Sequence, residues 1–153
     1  MYSNMHFVVA VDGSEAADRA LDYALTMAEP QGAAVTIVHS VEPRVLVEGG
    51  EEPVVGVAGT GDRIVAESLE DAETRAGSVL EEAEAHATEA GVETTTELLY
   101  GDPVEALPSY VDDVDADGIF VGHRGLSKQY EGLVGSVAKE LVERSPCPVT
   151  VVR

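Results

Sequence analysis

Apolar and polar positions along the chain switch repeatedly between two periods. Met5 to Val11 is a nearly continuous apolar run with β-branched residues, which predicts a strand buried on both faces. Asp12-Gly13-Ser14 ends it, and Ser14 or Asp12 can cap a helix from about Glu15 to Glu29. The apolar stripe of that helix is Ala17, Leu21, Ala24, Leu25 and Ala28, and Pro30-Gln31-Gly32 stops it. A second strand is predicted over Ala34 to Val41. A glycine-rich loop over Pro43 to Arg63 and a long helix from about Arg63 to Ala90 follow. The stripe of this helix is Leu69, Ala72, Ala76, Leu80, Ala83 and Ala87, so its many carboxylates belong to the solvent face. Glu93 to Leu99 reads as a third strand, polar enough for an edge. Asp102 caps a short helix with Pro103 at its first position, running to about Asp113. Asp117 to Val121 is a fourth strand, Gly122 to Val134 a loop, Gly135 to Arg144 a helix, and Pro148 to Val152 a fifth strand.

This alternation predicts one α/β domain over residues 1–153, an open parallel five-stranded sheet with helices on both faces. Ligands of such sheets bind beyond the carboxyl ends of the strands, where the strand order reverses.

Composition narrows the function. Nine Lys and Arg stand against 29 Asp and Glu, a net charge of −20. That field opposes nucleic acid and anionic membrane surfaces. The acidic residues interleave with apolar ones instead of forming a tail, a texture expected of a folded protein adapted to concentrated salt. No apolar run reaches the roughly 18 residues of a spanning helix. The N-terminus lacks the pattern of a signal peptide. Cys147 is the single cysteine, which fits a cytoplasmic location.

The chemistry concentrates after the fourth strand. Gly122 and Gly125 permit a sharp turn and close approach of a ligand. Gly135-Ser136 begins a helix, whose free N–H groups form an anion site. The Ser136 hydroxyl can bond phosphate or cap the helix. Arg124 and Lys128 place two of the nine basic residues in the same loop. Together these features point to a polyphosphate.

Gly122-x-x-Gly125, nine residues, then Gly135-Ser136 resembles the nucleotide-binding signature of the universal stress protein family. Val8 to Glu15, Val38-His39-Ser40-Val41, Gly101-Asp102-Pro103 and Cys147 to Val152 resemble further segments of that family in the right order. The resemblance spans about Met5 to Arg153. It implies a Rossmann-like sheet of the adenine nucleotide alpha hydrolase-like type, with strand order 3-2-1-4-5. It also implies binding of ATP or another adenosine nucleotide, with Mg²⁺ held through the phosphates. Asp12 would contact the adenosine part, Ala10 and Val11 would line the adenine pocket, and Ser40 would offer backbone contacts to the base. Val121, Gly122, Arg124, Gly125, Gly135, Ser136, Val137 and Ala138 would surround ribose and phosphates. A homodimer through the strand Pro148 to Val152 is implied too. The departures from the family pattern are His123 for Ser or Thr, Arg124 for His, and Ser40 for an apolar residue.

The expected function is a stress-response switch or sensor without catalytic residues. The alternatives are a nucleotide-free dimeric interaction module, a transferase using adenosine nucleotides, or a slow ATPase. A G-x-G-x-x-G turn after the first strand, a G-x-x-x-x-G-K-[ST] loop and a G-x-S-x-G elbow are all missing. The four histidines show no metal spacing, and Cys147 between two prolines reads as a half-buried small residue.

Overall fold

The computed structural model describes residues 5–42, 45–47, 64–123 and 135–153. The chain runs β1 (His6–Ala10), α1 (Glu15–Ala28), a 3-10 turn (Glu29–Gln31), β2 (Ala34–Val41), β3 (Val45–Val47) and β4 (Ile64–Ala66). It continues with α2 (Leu69–Glu89), β5 (Thr94–Tyr100), α3 (Pro103–Asp113), β6 (Gly118–Gly122), α4 (Ser136–Arg144) and β7 (Val149–Val152). Five strands form one sheet in the order β5-β2-β1-β6-β7, with every pairing parallel. This is the 3-2-1-4-5 order expected from the sequence, with β5 and β7 as the edges.

The apolar periodicity places the core on both faces. On one face Phe7, Val9 and Ile37 of the sheet meet Ala17, Leu21 and Ala24 of α1 and Leu80, Ala83 and Ala87 of α2. On the other, Val8, Val38, Ile119 and Val121 meet Leu107 and Val111 of α3 and Leu141 of α4. Each fully buried Leu, Ile or Val contributes about 1.5–3 kcal/mol of hydrophobic stabilisation. Alanines on the inner sides of α1 and α2 let these helices lie close to the sheet. Cys147 is half-buried against the second cluster.

From β1 the chain steps outward through β2 to β5, then crosses back to β6 on the other side of β1. The strand order therefore reverses between β1 and β6, and a crevice opens there at the carboxyl ends.

Two expectations need correction. A short antiparallel pair joins part of the stretch read as a loop to the expected start of the long helix, with Val45 opposite Ala66 and Val47 opposite Ile64. The remainder of that loop, residues 43–44 and 48–63, lies outside the described residues. The helix begins at Leu69 instead of Arg63. Ile64-Val65 favours a strand, and Ser68 sets the helix start by accepting a hydrogen bond from the Asp71 N–H at 3.1 Å. Leu69, counted in the buried stripe, is 52% exposed, because the first turn overhangs the sheet end. The other five stripe residues are buried as expected.

Candidate functional site

A cavity of about 110 Å³ lies at the carboxyl ends of β1, β2 and β6. Its walls are mostly apolar: Ala10 and Val11 from β1 and its end, Val38 from β2, Ala17 from α1, Pro103 and Leu107 from α3, Val121 from β6, and Val137 and Ala138 from α4. Asp12, Ser14, His39 and Ser40 supply the polar side chains, and Gly122 completes the lining.

The β1 side is built by a compact turn. Gly13 takes φ +84°, a left-handed conformation that a side chain would strain. That turn lets the Asp12 carboxylate fold over Ser14. Its Oδ1 accepts from the Ser14 N–H at 3.0 Å and from the Ser14 hydroxyl at 2.5 Å. Ser14 Oγ in turn accepts from the Ala17 N–H at 3.2 Å and so caps α1. One carboxylate oxygen of Asp12 thus serves the fold.

The β6 side differs. Gly122 ends β6 directly against α1: a Cβ placed on it would lie 2.7 Å from the Ala16 backbone carbonyl carbon and 2.7 Å from the Ala16 Cβ. Gly122, expected from the sequence to let a ligand approach closely, also leaves the room that packing of β6 on α1 requires. The Gly135 N–H donates to the carbonyl of His123, so the two ends of the signature meet although twelve residues lie between Gly122 and Gly135. Gly135 is the N-cap of α4 and provides no side-chain cap. The first N–H bonded back within the helix is that of Lys139, to the Gly135 carbonyl at 3.0 Å. The amides of Ser136, Val137 and Ala138 precede it and have no intrahelical acceptor. Ser136 is the first helical residue, so its hydroxyl does not cap the helix. His123 is buried, at 8% exposure, and its N–H donates to the Val152 carbonyl at 2.8 Å.

On the β2 side, His39 Nδ1 lies 2.6 Å from the Val11 carbonyl oxygen. A carbonyl only accepts, so Nδ1 carries the proton. Ser40 Oγ donates to the Gly101 carbonyl at 2.5 Å, and the Gly101 N–H donates to the Val41 carbonyl at 2.9 Å. These bonds attach β2 to the turn before α3. Asp102 caps α3 by accepting from the Val104 N–H at 3.0 Å.

Of the residues singled out from the sequence, Ala10, Val11, Asp12, Ser40, Val121, Gly122, Val137 and Ala138 line the cavity. Gly135 and Ser136 stand at the adjoining helix start, outside the lining. Arg124, Gly125 and Lys128 lie outside the described residues. The sequence reading missed Ser14, Ala17, Val38, Pro103 and Leu107. Strand alternation pairs Val38 with Ser40 on one face, and the inward side of α3 marks Leu107. Both signals are readable once the strand order is known.

Groups whose protonation the fold shifts lie outside this lining. The His86 imidazole is raised chiefly by its hydrogen bond to Asp22, and Arg75 chiefly by its hydrogen bond to Glu67. Tyr110 is raised first by burial and then by the Glu97 charge. Among the described residues no cluster of three or more His, Cys, Asp or Glu could hold a metal ion, and no helix is long and apolar enough to cross a membrane.

Known proteins are similar to this chain in sequence and fold. The profile of the Universal stress protein family matches residues 3–153. Universal stress protein YxiE of Bacillus subtilis is 29% identical over 153 residues, covering all of both chains. A universal stress protein solved in complex with cAMP superposes with a TM-score of 0.68 at 27% identity, covering 97% of this chain and 96% of that one. The universal stress protein of Archaeoglobus fulgidus in complex with dAMP gives a TM-score of 0.67 at 26% identity, with all of both chains covered. A family profile matched over nearly the whole length settles the kinship: this chain belongs to the universal stress protein family.

Proposed function

We propose that the protein binds an adenosine nucleotide, ATP, in the cavity at the carboxyl ends of β1, β2 and β6. It acts there as a nucleotide-dependent switch or sensor in the stress response. The observation that carries this reading is the start of α4. Its uncapped amides stand beside an apolar cavity that also holds Asp12, so an anion and a heterocyclic base find matching surroundings within one crevice. The structural relatives bound to cAMP and dAMP support the choice of adenosine nucleotide.

In this reading Ala10, Val11, Val38 and Leu107 hold the base by apolar contact. Asp12, with one oxygen engaged by Ser14, offers the other to a ribose hydroxyl. The amides of Ser136, Val137 and Ala138 face the phosphates, and the α4 dipole adds to their attraction. Arg124 and Gly125 join them through the signature. Mg²⁺ enters with the phosphates and keeps several of its waters, so it needs few protein ligands.

The switch works as a homodimer through β7. That strand is an edge with every residue half-buried, and Val142 on the neighbouring α4 is 58% exposed. From Ser136 to Arg153 the charges are Lys139, Arg144 and Arg153 against Glu140 and Glu143, a net of +1 in a chain of −20. This is a surface on which two copies meet without the repulsion the remainder imposes. A monomer in light scattering at micromolar concentration would contradict it.

The experiment for the nucleotide is mass spectrometry of small molecules released by heating the purified protein, with calorimetric titration of ATP. An adenosine nucleotide in the extract, or saturable ATP binding, is the expected result. Neither appearing at millimolar ATP would sink the reading.

A further inference from the structure

Ser40 stands near the end of β2 on the face shared with Val38 and with its register partner Leu99, the face against which α3 packs. Its side chain belongs to the cavity wall. A serine hydroxyl has one proton and two acceptor sites. The proton is committed, donated to the Gly101 carbonyl at 2.5 Å. The Gly101 N–H, donated to the Val41 carbonyl at 2.9 Å, fixes that carbonyl in place. Toward the cavity the Ser40 hydroxyl is therefore an acceptor only. Of the neighbouring polar side chains, Asp12 is a carboxylate and His39 holds its Nδ1 proton on the Val11 carbonyl.

The strand order fixes which part of a nucleotide reaches Ser40. β2 and β6 flank β1 on opposite sides, and α4 follows β6. A ligand with phosphates at the α4 amides extends its base toward β2. Adenine linked through N9 has one donor group, the 6-amino group. We infer that Ser40 Oγ accepts a hydrogen bond from this amino group and is a specificity-determining residue for the base. The inference rests on the adenosine-nucleotide reading above.

The test compares AMP with purine riboside 5′-monophosphate, which has the same shape without the amino group. Calorimetry is done on the wild type, Ser40→Ala and Ser40→Thr. The wild type should prefer AMP by about tenfold, the scale of one net hydrogen bond. Ser40→Ala should reduce the preference to within about twofold, and Ser40→Thr, which keeps the hydroxyl, should retain it. The ratio is taken within each variant, so a general loosening of the β2 end cancels. Equal binding of both ligands by the wild type overturns the inference with no variant needed. An unchanged preference in Ser40→Ala, or a loss in Ser40→Thr as large as in Ser40→Ala, overturns it as well. Equal binding leaves nucleotide binding intact, whereas a wild type that binds neither ligand removes both the reading and the inference.

Discussion

Two helices open toward the same crevice, and their N-termini are finished in opposite ways. α1 is closed by its own chain: Ser14 caps it, and Asp12 holds Ser14. α4 starts on Gly135, which has nothing to cap with. Every helix start exposes amides that require acceptors. Where the sequence supplies Asp and Ser, the Ala17 amide is capped internally. Where it supplies Gly, the cap residue has no side chain to take any amide up. The same element type thus starts with a side-chain cap on one side of the switch point and without one on the other. The identity of one residue at each N-cap decides between them.

The largest effect is expected from breaking the frame that holds the two starts together. Gly122→Ala forces a methyl group to 2.7 Å from the Ala16 backbone. Backbone cannot rotate away as a side-chain tip can, so β6 and α1 must separate, at a cost of about 3 kcal/mol. Urea denaturation should show that loss whether or not nucleotide is present. Wild-type stability in Gly122→Ala would mean that the glycine serves the ligand alone.

Next comes conversion of the open start into a closed one. Gly135 has φ −63° and ψ 156°, which any residue adopts without strain. Gly135→Asp would cap α4 much as Ser14 caps α1, changing stability by no more than about 0.5 kcal/mol. The new carboxylate would meet the phosphates, and ATP affinity should fall about 100-fold, or about 2.7 kcal/mol. Thermal melting and calorimetry on the same sample separate the two effects. Undiminished affinity would place the phosphates elsewhere.

This contrast also marks what the sequence reveals. Helix stripes and the caps Ser14 and Asp102 follow from local chemistry, because each depends on residues within a few positions. The strand order is implied only by the family resemblance, and the cap Ser68 lies inside a longer expected helix. The meeting of Gly122 with Ala16 does not follow locally. It is a contact between elements about a hundred positions apart, and a glycine needed for packing has the same letter as one needed for a ligand. Leu69 misleads for a related reason: its spacing matches the stripe, but the first turn lies beyond the sheet. Pro103 and Leu107 enter the cavity only because β5 lies next to β2, which no spacing within α3 reveals.

Opening the closed start is a smaller perturbation. Ser14→Ala removes the α1 cap and the hydroxyl that holds Asp12, at a cost of about 1 kcal/mol. Urea denaturation measures it, and a loss below about 0.3 kcal/mol would show that Asp12 alone suffices to finish α1.

The smallest expected effect tests how firmly the α1 side is anchored. His86 on α2 is hydrogen-bonded to Asp22 on α1, and this bond, with the charges of Asp22, Asp18 and Glu89, raises the imidazole pKa above its usual value. A raised folded pKa stabilises the fold fully below the unfolded value of about 6.5, and the gain is lost as pH rises through the folded value. Both side chains are about half exposed, so screening reduces the pair to about 0.5 kcal/mol. His86→Gln should therefore be less stable than the wild type at about pH 6 and equal to it at about pH 9, and the difference at pH 6 should shrink in concentrated salt. A difference that persists unchanged at about pH 9 would assign the contact to packing of α2 on α1 instead of charge. In that case the rigidity of the α1 side would owe nothing to its titratable groups.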